Sequence, residues 1–317
     1  MSYSFLKLNK KKKLKNFLKI NWKKNHILSK DDKLLNWQHS YNNKLYFYCL
    51  IKKNKIQSVL GIINQSRDQK LSEIGLGIIT SINQMGVFDL FKEFSKKKFN
   101  IIKAIGLTKK IIPLYKFFGY KTGKLNIYYS KNPLINKSKI SKNLKNFNFS
   151  KKKDKEINLE NINKIIRLKK NKNIKKYLNW RFARHPYYKY QCVKSFDKKL
   201  TLIFREIKIH KNKFIRIVDF IGSFKNQKKF IYHLINFFIK KNFHHIEFMH
   251  YGHEDKFIKK TDFYKKNGKQ KIAIYTEPFD NLKKKDLYFA YKIITKNKIK
   301  IVRADADGDR PNILSLR

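Results

Sequence analysis

Two stretches of this chain run through nearly the same order of apolar elements, and that order constrains the fold more than any other feature. In the first, "KLYFYCLIKKNKIQSVLGIIN" (44–64) predicts a strand, a turn at Lys53–Asn54 and a second strand. "EIGLGIIT" (73–80) predicts a third. Val87, Leu90, Phe91 and Phe94 share one helical face of "GVFDLFKEFSKKK" (86–98). "NIIKAIGLT" (100–108) reads as a strand, "IIPLYKFF" (111–118) as a short helix and "KLNIYYS" (124–130) as a closing strand. The second stretch repeats the theme. "YKYQCVKSF" and "KLTLIFREIKIH" predict a strand pair, and "FIRIVDFIG" (214–222) a central strand. A strong amphipathic helix (227–241), a strand (244–251), a helix (253–266) and the strands "KIAIYTE" and "LYFAYKII" follow. Strands alternating with amphipathic helices predict an α/β (α+β) class, sheets flanked by helices. Residues 131–156 are polar and weakly periodic, so they read as a linker between lobes 1–130 and 157–317. The length suits roughly two domains. Element order, not residue identity, suggests an internal duplication.

The chain carries 76 basic and 22 acidic residues, a formal charge of +54. That attracts acidic ligands, nucleic acid or an anionic membrane. Yet Lys, Asn, Ile, Phe and Tyr are enriched while Gly (11) and Pro (5) are scarce, the mark of AT-rich codons. Lysine, not the bidentate arginine, dominates and is spread along the chain. These features favour a solvated surface over a selected polyanion site. Cys49 and Cys192 lie far apart, outside any metal or disulfide spacing, and fit a reduced compartment. No run of ~18 apolar residues predicts a spanning helix, and the N-terminus lacks an apolar signal core. The expectation is a cytoplasmic protein. Leu14, Phe17 and Leu18 form a helical stripe among lysines in 11–22. It predicts packing on a neighbouring domain, with a membrane-surface helix as the alternative.

Two segments carry the chemistry. In "INQMGVFDLFKEF" (82–94), Gln84, Met85, Gly86 and Val87 stand where a strand turns into a helix. Backbone N–H groups at such a turn, with the helix dipole, attract phosphate. In "GLTKKIIPLYKFFGY" (106–120), Pro113 fits only a first helical turn and Gly119 can end the helix in a left-handed conformation. The short helix between them fixes where Tyr115 points. The order of elements in 44–130, with these two segments, resembles the GNAT acyltransferase superfamily. The second half resembles it by layout only. The resemblance implies two tandem GNAT-like lobes, each a mixed, mostly antiparallel sheet flanked by helices. It implies an acyl-coenzyme A (acetyl-CoA or another) as co-substrate, its pyrophosphate on residues 84–87. Phe88 departs from the superfamily's turn, where a small residue is usual. It also implies that Tyr115 protonates the departing thiolate as a general acid; a core tyrosine with a bonded hydroxyl is the other reading. The second half has Ile258 and Asp262 at the matching tyrosine and glycine places. There Asp219, Glu247 and His250 are the candidates to take a proton from an acceptor amine.

"LNWRFARHPYYKY" (178–190) is dense in functional side chains, and its arginines stand out in a lysine-rich chain. Arg181, Arg184 and His185 suit a phosphate or carboxylate of the substrate, or equally an arginine–aromatic clamp between domains. The tail "RADADGDRPN" (303–312) concentrates Asp305, Asp307 and Asp309 in an acid-poor chain. The spacing superficially resembles a calcium loop, but Leu316 stands where the closing Glu belongs, so no metal is expected. A turn stapled by Asp309–Arg310, folding over a site between lobes and binding sugar hydroxyls or an amine, is one reading; a salt-bridged structural tail is another. A similar Trp-Arg…His-Pro segment and tail occur in two-lobed GNAT-like proteins of bacterial surface-polysaccharide gene clusters. That resemblance implies an N-acyltransferase for an amino sugar or nucleotide-sugar in glycan biosynthesis. Two rivals stay open: a peptidoglycan-type aminoacyl transferase using charged tRNA, and a non-catalytic binding protein with this fold.

Overall fold

A computed structural model describes residues 2–7, 10–41, 44–67, 71–135, 141–149, 155–209, 212–272, 286–294, 296 and 298–310. In chain order β1 (Ser2–Lys7), α1 (Lys11–Asn21), α2 (Ile27–Lys30) and α3 (Asp32–His39) lead to β2 (Ser40–Tyr41) and the hairpin β3 (Lys44–Lys52) and β4 (Lys55–Asn64). Next come β5 (Glu73–Ser81), α4 (Gln84–Ser95), β6 (Ile101–Leu107), α5 (Ile112–Phe117), β7 (Lys121–Lys124) and β8 (Asn126–Lys131). The later part holds β9 (Ser141–Lys142), β10 (Leu159–Asn161), α6 (Ile162–Leu168), α7 (Lys172–Leu178), β11 (Gln191–Lys194) and β12 (Leu200–Ile209). It continues with β13 (Asn212–Gly222), α8 (Lys228–Lys240), β14 (His245–Gly252), α9 (Asp255–Ile258) and β15 (Tyr264–Lys265). Last are β16 (Lys271–Ile272), β17 (Tyr288–Ile293) and β18 (Lys300–Val302). The first hairpin turns at Lys53–Asn54, both with positive φ (47° and 56°), as a two-residue turn between twisted strands requires.

Two large sheets result. The first runs β1-β3-β4-β5-β6-β17-β7, the second β10-β11-β12-β13-β14-β8-β15. Their paired neighbours are antiparallel except β5 with β6 and β13 with β14. Each parallel pair is joined through an amphipathic helix, α4 or α8, because parallel strands need a long crossover. The lobes exchange strands. β8, the closing strand of the first repeat, pairs with β14 in the second sheet. β17, from the last apolar run, lies between β6 and β7 in the first. Only Leu125 separates β7 from β8, and its backbone N–H donates to the carbonyl of Leu287 at 2.9 Å. Pulling the lobes apart therefore breaks ladder hydrogen bonds in both.

Leu14, Phe17 and Leu18 are buried with α2, α3 and the strands β3 to β5, so the N-terminal stripe packs on its own lobe's sheet. Helices α4 and α5 cover the opposite face. The predicted helix over 253–266 is only one turn, α9; Tyr264 and Lys265 pair with Tyr129 and Tyr128 instead. The edge of the second sheet captures them before the helix can propagate. Of the strand expected at 271–277, β16 covers the first two residues and the rest lie outside the described residues. Among the described residues no helix is long and apolar enough to cross a membrane.

The C-terminal segment after β18 lies against the first sheet, and Gly75 permits it. A Cβ on Gly75 would stand 2.6 Å from Cα of Ala306, a backbone atom that cannot swing away. Gly75→Ala should therefore cost about 1–3 kcal/mol by overpacking, read as a lower urea midpoint. Gly268, whose added Cβ meets nothing within 4 Å, should tolerate the same change; equal losses at both sites would show that the close approach is not needed.

Candidate active site between the lobes

β5 and β6 pair only from Glu73–Leu76 with Ile101–Ala104, although β5 runs to Ser81 and β6 to Leu107. Their outer edges are taken by β4 and β17, so beyond Leu76 and Ala104 the two strands part without a ladder between them. Helix α4 begins beyond the end of β5. Asn83 caps it, its side-chain oxygen accepting from the Gly86 N–H at 2.8 Å, and no acidic residue in the first turn offsets the positive helix end. A Cβ on Gly86 would stand 2.2 Å from Oγ of Ser81, so a larger residue would force the serine hydroxyl to turn away where strand and helix meet. Met85 is 66% exposed and Val87 half-buried; the side chain of Gln84 lies outside the described residues. Phe88 packs on Phe117 and Phe118, its centroid 5.4 and 5.3 Å from theirs, and joins α4 to α5.

Pro113 sits in the first turn of α5, and Gly119 takes φ +77° where the helix ends. Tyr115 is buried, edge-on to Phe91 (5.1 Å) and Tyr120 (5.2 Å). Burial first, then Tyr120 and Asp307, pushes its phenol well above the ordinary value of 10, so it keeps its proton throughout the neutral range. The tyrosine belongs to the core of the α4–α5 face.

The second parallel pair has the same geometry and a different fate. β13 and β14 pair only at Ile215–Ile217 with Ile246–Phe248 and then part. Here the chain fills its own gap. β18 pairs with His250–Gly252 of β14, and the Ala304 N–H donates to the Val218 carbonyl at 3.0 Å. His250 already meets Asn126 of β8 on its other edge, so β18 lies on the β13 side. The three expected bases are bound into this plug and its surroundings. Asp219 accepts from Tyr177 Oη (2.8 Å) and Lys300 Nζ (3.0 Å). Glu247 is paired with Arg216 at 2.5 Å, and His250 Nδ1 is 2.7 Å from Asp255. Burial alone would raise Asp219; Lys300 and Arg67 outweigh it and hold the carboxyl below its usual range. Ile258 is fully buried in the second core, and burial raises Asp262.

The tail's carboxylates turn inward. Asp305 pairs with Arg67 (2.7 Å) and Lys103 (3.4 Å), both of which also hold Glu73. Asp309 does not staple to Arg310. It receives Arg205 (3.1 Å) and Tyr190 Oη (2.8 Å), while Arg310 pairs with Asp307 (2.8 Å) and reaches His26. Asp305 and Asp309 are thus structural partners, and Asp307 keeps a partly exposed side chain.

The 178–190 segment forms the clamp between lobes. Helix α7 widens into a π-turn over Asn179–Ala183, which sets Trp180 against Trp37 of α3. Each indole N–H donates to the other residue's carbonyl, at 2.7 and 2.6 Å, and the rings stack at 5.4 Å. Arg181 is fully buried over both indoles. His185 accepts from the N–H groups of Tyr187 and Tyr188, and burial, then Arg181, lowers it to about 3. Beside this clamp lies a cavity of about 810 Å³, lined by Trp37, Gln38, Tyr46, Gln65, Tyr177, Trp180 and other polar residues. Arg184 is the one sequence-predicted residue that lines it. Gln38 and Gln65 escaped sequence reasoning because each is one ordinary amide among others where an apolar run gives way to polar residues. The cavity backs onto the open gap: a Cβ on Gly77, the first β5 residue past the last β5–β6 pair, would stand 3.3 Å from His39 and 3.6 Å from Gln38.

No family model and no curated protein sequence matches the chain. Solved structures do. A GCN5-related N-acetyltransferase from Anabaena variabilis aligns with TM-score 0.55 over 93% of this chain and 73% of its own, at 11% identity. The Enterococcus faecalis "Probable N-Acyltransferase" aligns with TM-score 0.53 over 92% of this chain and 72% of its own, also at 11% identity. With its mixed, mostly antiparallel sheets flanked by helices, the chain has the fold of the GNAT superfamily in two lobes.

Proposed function

We propose that the chain is an acyl-coenzyme A dependent N-acyltransferase whose first lobe holds the coenzyme and whose interlobe cavity takes the amine of an amino sugar or nucleotide-sugar. One observation carries the reading: of two equivalent strand gaps, the chain fills the second with its own β18, while among the described residues no strand fills the first. The free inner edge of β5 past Leu76 suits the amides of an extended coenzyme arm, which pair as an added strand would. The first turn of α4 suits its pyrophosphate. The amine attacks the thioester carbonyl from the cavity side near Gly77, the C–S bond breaks, the coenzyme leaves as thiolate, and the proton shed by the nitrogen passes to water. Tyr115, kept protonated by its burial, supplies the proton to sulfur. Asp219, Glu247 and His250 have no part in this scheme, because each is held by a partner in or beside the filled gap.

Titration calorimetry with acetyl-CoA at physiological and high salt tests the coenzyme site. Saturable one-to-one binding that survives salt is expected; binding that vanishes with salt would mean lysine–phosphate attraction and turn attention to the tRNA reading. Met85→Glu sets a carboxylate beside the pyrophosphate position. It should weaken coenzyme binding about tenfold, or about 1.4 kcal/mol, without lowering the melting temperature, since an acid in the first turn favours the helix. Unchanged affinity would move the coenzyme elsewhere. Tyr115→Phe should lower kcat roughly 10²-fold with little change in coenzyme affinity. Its raised phenol also predicts no alkaline loss of rate from this group below pH 10; an unchanged kcat would sink the acid assignment.

A further inference from the structure

We propose that the interlobe cavity is a binding site for an amino sugar bearing a phosphate or diphosphate. Gln38 receives the amine there, Gln65 donates to a ring oxygen, and Lys176 with Arg184 holds the anion. The role of the amine rests on the acyltransferase reading; recognition of the anion and the ring does not.

The two carboxamides are set by bonds on their other atoms. His39 Nδ1 lies 3.0 Å from the Ile62 carbonyl, which can only accept, so Nδ1 carries the proton and Nε2 must accept. The amide nitrogen of Gln38 therefore faces His39 Nε2 at 3.0 Å, and Oε1 is left without a partner at a residue 2% exposed. Burial pushes His39 down to about 4, which keeps this arrangement intact at neutral pH. Gln65 is the mirror case. Its Oε1 accepts from the Ala306 N–H at 2.9 Å, leaving Nε2 without a partner at a residue 1% exposed. One amide thus offers an acceptor, the other a donor. Leaving a buried polar atom unmet is costly, and a ligand with an N–H and an oxygen acceptor recovers that cost.

Their placement matches the chemistry. Gln65 sits by Gly75 through its bonded Oε1 and Gln38 by Gly77 through its bonded Nε2, so the two amides stand beside next-but-one residues of β5. Gln38 is the one at the opening of the strand gap, where an acyl carbonyl arrives. The charged side chains lining the cavity are Lys176 and Arg184, with no carboxylate among the described lining residues. Neither cation has an ion-pair partner among the described residues, so a bound anion gains without breaking anything. Four aromatic rings supply flat apolar wall, two of them locked by the Trp37–Trp180 bonds and a third by Tyr177 to Asp219 and Arg67. A sugar ring has one apolar face to lay on such a wall and hydroxyls for the surrounding amides. A polyamine lacks the anion that the two cations call for. About 810 Å³ holds a hexose phosphate with room for a second phosphate.

Coenzyme-free protein titrated calorimetrically with glucosamine 6-phosphate, glucose 6-phosphate and glucosamine tests this, with a uridine-diphosphate amino sugar as the larger probe. An amino sugar phosphate should bind saturably, and removing either amine or phosphate should weaken it at least tenfold. Arg184→Gln with Lys176→Gln should erase only the preference for phosphate. Gln38→Met should erase only the preference for the amine and leave glucose 6-phosphate affinity unchanged, which also shows that the variant folds. Failure of both amino sugar phosphates to bind, or equal binding of all compounds, overturns the proposal. Tight binding without acetyl transfer would leave the cavity assignment standing and remove the acyltransferase reading. Acetylation of an uncharged amine, indifferent to Arg184→Gln, would do the reverse.

Discussion

Arg67 reaches across the two lobes, and most of the interlobe geometry depends on what it holds. Its guanidinium meets Glu73 of the first sheet, Asp219 of the second and Asp305 of the C-terminal segment, and donates to Tyr177 Oη at 2.6 Å. Lys103 and Lys300 complete the group. Three cations then face three carboxylates, and the buried charge closes to zero. Burying such a set gains little over apolar packing, but removing one member leaves an uncompensated charge in a dry interior, at about 3–5 kcal/mol. The network therefore acts as a registration device. It admits one position of the tail against the two sheets.

That position makes two similar lobes chemically unlike. Both parallel pairs part after three or four paired residues, since twisted parallel strands diverge once their ladder stops. In the second lobe the tail supplies the missing ladder, and Lys300 and Asp305 anchor it there through Arg67 and Asp219. In the first lobe the same segment crosses the sheet face at Gly75, and the inner edge of β5 beyond Leu76 has no ladder partner among the described residues. The exchange of β8 and β17 keeps the lobes from drifting, so cavity walls drawn from both stay at fixed distances. The +54 charge of the chain is outside this arrangement: the cavity's lining contributes two cations to it, and the network's own charges are paired with one another.

Local order was legible in the sequence wherever a period was long and bounded. The hairpin at Lys53–Asn54, the strand at 73–81 and the helices around Phe91 and Leu234 follow from alternation or 3.6-residue spacing ended by turn residues. The density of Trp180, Arg181 and His185 marked either an anion site or a clamp, and the clamp's partner Trp37 lies 143 residues away and carried no local signal. Tyr264 and Lys265 look helical in sequence and became an edge strand because the rim of a sheet offered unpaired backbone. Gln38, His39 and Gln65 were not legible at all. Their meaning comes from which hydrogen bonds they make, and so from which they leave open.

Sequence alone determined the layers: two mixed sheets, their covering helices, the glycine at the start of α4 and the short proline-led helix that carries Tyr115. These depend on side-chain period and backbone stereochemistry, which are local. Tertiary structure decided the rest. It chose which strand joins which sheet, settled the acidic tail between ligand-binding turn and salt-bridged segment by making it a charge lock, and put the cavity on the first lobe's open gap. Such outcomes depend on pairings between residues far apart in the chain, where hydrogen-bond edges and buried charges must be satisfied together.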